Sequence, residues 1–190
     1  MFDLNAYSLV LLFHVVAATL LIGSSMFEPL VRRSMALAGS VRELRLWLDL
    51  ARRAARANPV AALAVLGTGL YLGSAGWWSQ GWFYAALGLW LLNSVLAVTV
   101  VKRAAAALGG AAARANDGPI PGDLDSLRRS TAWTVAAETM RAVDLSMLYV
   151  MFVKPSAIES CLVAAATAIV FVGLALARRR PVGVPSPATA

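Results

Sequence analysis

The stretch TAWTVAAETMRAVDLSMLYVMFVKP, residues 131–155, decides whether this chain is read as a five-span helical bundle. It is long and apolar enough to cross a hydrocarbon core about 30 Å thick. It also carries Glu138, Arg141 and Asp144, each of which costs at least a few kcal/mol in lipid unless paired or hydrated. Read as a span over 131–153, it joins four more apolar segments, at 7–30, 60–79, 82–101 and 161–177, each close to the length a membrane helix needs. Composition agrees. The mean hydropathy is +0.70 and charged residues make up 14% of the chain, against about 25% for an ordinary soluble domain.

Five spans fix an orientation through the distribution of charge. With the N-terminus outside, Arg32, Arg33, Arg42, Arg45, Arg52, Arg53, Arg56, Lys102, Arg103, Arg114, Arg128, Arg129, Arg178, Arg179 and Arg180 fall on the cytoplasmic side. Only Lys154 lies outside, and Arg141 lies within a span. This positive-inside bias explains the net charge of +7 without a nucleic-acid partner, and no basic stretch interleaves aromatics as single-strand binders do. The expected class is therefore an all-α, polytopic transmembrane bundle in the inner (plasma) membrane, a single domain over residues 1–180, with its C-terminus cytoplasmic. The first segment does not read as a secretory signal, because Met1–Ala6 carry Asp3 and no base, and the apolar run is too long.

Between the spans, residues 34–58 form an amphipathic connector. Val41, Leu44, Leu48 and Ala51 share one helical face, suited to the cytoplasmic headgroup layer or to a solvated linker. Asn58-Pro59 predicts an N-cap and first helical position for the second span. Trp77, Trp78 and Trp82 fit an interfacial aromatic belt, and Gly69-x-x-x-Gly73 offers a small-residue face for close helix approach. Residues 104–125 read as a linker, Pro121-Gly-Asp123 as the turn before a helix that continues into the fourth span, and 181–190 as a disordered cytoplasmic tail. The lone Cys161 cannot form an intramolecular disulfide and reads as a packing residue.

Chemistry concentrates on the fourth span. Glu138 and Arg141 are spaced to pair on one face, and Asp144 lies close enough to share that guanidinium. Together with Glu28, the two carboxylates could instead form a proton path. Met140, Asp144, Met147 and Met151 fall on a single stripe, which is either core packing or a soft-metal face, since thioethers favour Cu(I). His14, the only histidine, lies at a depth in the first span comparable with Met147, and Tyr71 and Asn93 are placed to line the same pocket. A metal set of His14, Met147, Met151 and Asp144 follows, and haem b with His14 and Met147 as axial ligands is the alternative. With no G-x-S-x-G, no HExxH and no second histidine, hydrolytic catalysis is not expected.

Three stretches, FHVVAATLLIGSSMF at 13–27, LGTGLYLGSAGWWSQGWFYAALGLW at 66–90 and DLSMLYVMFVKP at 144–155, resemble predicted integral membrane proteins of the copper-resistance protein D (CopD)-like superfamily, which also holds the HemJ-type protoporphyrinogen oxidases. His14 and the ending Met151, Lys154, Pro155 carry the resemblance. It implies a small helical bundle with a polar or liganded centre and copper or haem chemistry. The further histidine and the tryptophan-rich signatures of the oxidases are missing. The expected function is to bind or conduct a small ligand, foremost copper. The alternatives are a haem- or quinone-linked redox protein and a structural subunit, a homo-oligomer or one that docks a partner membrane subunit through the charged span.

Overall fold

The computed structural model describes residues 5–178. Among them the chain is helical, with one isolated β-bridge between Ser40 and Pro119. Polar side chains at the helix starts explain where four of the eight described α-helices begin, because they accept hydrogen bonds from the otherwise unpartnered first amides. Helix α1, Ala6–Leu37, follows Asn5, whose side chain accepts from the Ser8 amide at 2.9 Å. Helix α2, Val41–Ala54, follows Ser40, which accepts from the Glu43 amide, while the Glu43 carboxylate accepts from the Gly39 amide. A single 3-10 turn leads into α3, Asn58–Gly73. Helix α4, Gly81–Leu96, passes through a π-helical stretch, Ala97–Val101, into α5, Lys102–Arg114. A short α6, Gly122–Arg128, precedes α7, Thr131–Val153, which Ser130 caps. Helix α8, Ala157–Ala177, opens with a reciprocal capping box between Ser156 and Glu159.

Among the described residues three helices are long and apolar enough to cross a membrane: α1, the continuous α4–α5 helix and α8. Phe13, Leu20, Leu91, Ile158 and Ile169 project outward from them, an apolar exterior suited to lipid. Helix α7 has the length to span but carries the three ionisable residues, and α3 has only 16 residues.

Several boundaries differ from the sequence reading. The second apolar segment, expected to reach residue 79, is helical only to Gly73; Gly76 takes φ 117° and Trp77–Ser79 form a separate 3-10 turn. Glycine alone adopts that backbone without penalty, so the helix cannot continue through it. Asn58 does not cap α3. It lies inside the helix, and its amide donates to the Ser24 hydroxyl of α1 at 2.9 Å. Half of the expected linker at 104–125 is helix α5, in keeping with the high helix propensity of its alanines. The turn at Pro121 does precede a helix, but that helix stops at Arg128 and a new cap starts α7. The tail at 181–190 lies outside the described residues.

Two buried clusters organise the packing. In the first, Val41, Leu44 and Leu48 of α2 meet Leu108 and Ala112 of α5, Leu124 of α6, and Val31 and Met35 at the end of α1. The amphipathic face of the connector is thus covered by protein, forming a cap of three helices. Arginines lock it: Arg45 donates to the Ala112 and Ala115 carbonyls and pairs with Asp117, and Arg128 donates to the Ala38 carbonyl at 2.8 Å. Each satisfies carbonyls that a helix end leaves without a partner. The second cluster joins Trp82, Phe83, Ala86 and Leu89 of α4 to Val143 and Val150 of α7 and Ala164 of α8. At its outer end Lys154 ends α7 in a left-handed conformation, φ 51°, and its ammonium lies 4.0 Å from the Trp77 ring centroid.

Candidate functional site

Helix α7 presents three polar or polarisable levels to its neighbours, each about one turn, roughly 5 Å, from the next. The deepest is an ion-pair network with α1. Arg141, 7% exposed, hydrogen-bonds Glu138 on its own helix and Glu28 on α1 at 3.0 Å. Glu28 also lies 3.4 Å from Arg32, which donates to Thr134 and stacks over the Trp133 ring at 5.4 Å. Pro29 shapes this network. A proline cannot donate to the carbonyl four residues back, so it leaves the Ser25 oxygen available inside α1, and Arg141 Nε reaches that oxygen at 3.4 Å. The Glu138–Arg141 pair anticipated from spacing is therefore present, and Glu28, four residues before Arg32, reaches across to α7 as well.

One turn further out, the Asp144 carboxylate accepts from Asn93 Nδ2 of α4 at 2.7 Å. Asp144 is 7% exposed, and the hydrogen-bonding nitrogens of Arg141 are committed to Glu138, Glu28 and Ser25. The guanidinium sharing expected of Asp144 is replaced by an amide contact with the facing helix.

At the third level His14, Met147 and Met151 line a common half-open cavity of about 30 Å³, together with Val65, Leu66 and Gly69 of α3 and Phe83, Leu87 and Trp90 of α4. Gly69 makes room for the imidazole, since a Cβ there would come within 3.2 Å of His14 Cε1. Thr68 fixes the ring. Its hydroxyl gives its proton to the Ala64 carbonyl and so can only accept from His14 Nδ1, 2.9 Å away. This arrangement favours the tautomer with the proton on Nδ1, which leaves the Nε2 lone pair open, as histidine metal ligands are commonly oriented. Thr68 was not singled out in the sequence; a hydroxyl residue in an apolar helix beside a glycine was the available signal.

Three of the four expected metal ligands thus meet, while Asp144 and Asn93 belong to the level below. Tyr71 does not line the cavity. It is two residues, or about 200°, round α3 from Gly69 and stands 48% exposed. Cys161 is exposed on α8 rather than packed inside. Among the described residues no group of three or more His, Cys, Asp or Glu side chains gathers to hold a metal ion, so a carboxylate-rich site for a hard cation is not present there. The cavity is about tenfold smaller than the roughly 300–1,000 Å³ of typical cofactor pockets. No family model, no curated protein and no solved structure matches the chain.

Proposed function

We propose that the protein is a five-span member of the CopD-like superfamily, with its N-terminus outside and its C-terminus in the cytoplasm of a cell's inner membrane. In this reading it binds or conducts a single soft cation, Cu(I), at His14, Met147 and Met151. One observation carries the reading: a histidine held at Nδ1 and two methionines from another helix line one cavity of atomic size. Imidazole and thioether are ligands of the softness Cu(I) prefers. The fifteen basic residues of the cap, loops and helix ends support the orientation. Helix α3 completes the count through its continuity with α2, and α7 through the internal pairing of its charges. That pairing turns the charged face of α7 toward α1 and α4, which favours the ligand-binding reading over partner docking through this span.

Chelator competition with Cu(I) on the detergent-purified chain tests this. One tightly held ion per chain is expected, and it should be lost in the His14→Ala, Met147→Leu double variant. Thr68→Val, which removes only the Nδ1 partner, should weaken binding by roughly 10–100-fold. Equal Cu(I) retention by wild type and double variant would remove the assignment.

A further inference from the structure

The middle level of α7 has an imbalance that the metal reading does not address. The buried polar belt holds three carboxyl groups, Glu28, Glu138 and Asp144, against two guanidiniums, Arg32 and Arg141. The four groups of the ion-pair network balance one another, which leaves Asp144 as the excess. An uncompensated charge in a membrane interior is expensive, and neutralisation by a proton is the ordinary way out.

A second, independent feature points the same way. Asn93 Oδ1 is buried and receives no hydrogen bond, although the amide nitrogen beside it donates to Asp144. A buried acceptor without a donor is costly. If Asp144 carries a proton, its O–H can donate to Asn93 Oδ1 while Asn93 Nδ2 donates back, forming a cyclic acid–amide pair that satisfies both groups. An ionised Asp144 is an acceptor only and leaves Oδ1 stranded.

We propose that Asp144 and Asn93 form a proton-binding site inside the bundle, with Asp144 as the neutral acid at neutral pH. The other charged and polar groups facing this level are of mixed sign, so burial and the unpartnered Asn93 oxygen carry the assignment. From α1 come Ser25, which reaches the carboxyl, together with Glu28 and Arg32; from α7 itself come Glu138 and Arg141. The π-helical stretch of α4–α5 brings no titratable side chain, and α8 has only Glu159 and Cys161, both at its outer end. His14 is bound to Thr68 one level further out. The site does not depend on copper.

Infrared spectroscopy of the full chain in lipid nanodiscs, stripped of metal by a chelator, tests the proposal at neutral pH. We expect a protonated carboxylic-acid carbonyl band that is lost in Asp144→Asn, kept in Glu138→Gln and moved to higher frequency in Asn93→Leu. Carboxyl-labelled aspartate should shift the band in a chain altered only by Asp3→Asn, which decides the matter even if an Asp144 or Asn93 variant fails to fold, because the remaining aspartates, Asp49, Asp117, Asp123 and Asp125, lie on the cap or its loops rather than in the bundle. Absence of the band, its survival in Asp144→Asn or its insensitivity to the label would overturn the proposal. Because no metal is present, none of these outcomes bears on Cu(I) binding.

Discussion

Arg141 is the residue on which the inner half of the bundle depends. Its guanidinium answers two carboxylates and a proline-freed carbonyl, so Arg141→Ala would leave Glu28 and Glu138 facing each other across a helix interface. Breaking a buried pair from one side typically costs about 3–5 kcal/mol. Thermal unfolding in detergent should show a large fall in Tm for Arg141→Ala and only partial recovery for Arg141→Lys, since an ammonium cannot reproduce the planar fork. A Tm within a degree or two of wild type would mean that the network is open to water. At this scale much could be read in advance. The spacing of Glu138 and Arg141, and the matching depths of His14 and Met147, follow from helical geometry. The roles of Pro29 and Thr68 do not, because each acts through a neighbour that only the packed helices supply.

Helix α3 shows how one motif is used in two different ways. Gly69 seats the His14 ring, while Gly73 lies under Phe83, whose Cζ would be 2.5 Å from an added Cβ. Phe83 is held edge-on between Trp78, Trp82 and Tyr84 and cannot swing aside freely. Gly73→Ala should therefore destabilise by about 1–3 kcal/mol, as overpacking does. Gly67→Ala meets nothing within 4 Å and should be neutral or stabilising by up to about 1 kcal/mol. Equal Tm values for the two variants would contradict this packing. The small-residue motif was visible in sequence, but what it receives is aromatic rings rather than another helix backbone.

The cap makes a pH-dependent prediction of its own. Asp125 accepts from Arg129 and Arg128, and these hydrogen bonds hold its carboxyl below the usual aspartate range. A lowered folded value means that the stabilisation is complete above the ordinary Asp pKa of about 3.9 and disappears as the pH falls through the folded value. The Tm difference between wild type and Asp125→Asn should be largest near neutrality and close in acid. A difference that stays constant into strong acid would show that the contact is not ionic.

On the scale of the whole molecule, Arg56 and Ser79 lie at opposite ends of α3, so orientation can be tested from both sides. In a Cys161→Ser background, Ser79→Cys should react with a membrane-impermeant thiol reagent on intact cells. Arg56→Cys should react only after permeabilisation. The reverse pattern would invert the topology, and labelling of both from outside would remove the five-span count.

The amino-acid sequence by itself determined that the chain is helical and apolar, where most helices run, and that its polar residues concentrate on one of them. These are consequences of local periodicity and of the cost of charge in hydrocarbon, and both can be read along a single chain. The tertiary structure decided which faces meet. It turned the amphipathic connector onto α5 and α6, sent Tyr71 outward and gave Asp144 the Asn93 amide as its hydrogen-bond partner on α4. Helix rotation and order depend on side-chain fit between segments far apart in sequence, and a hydropathy pattern leaves that fit open.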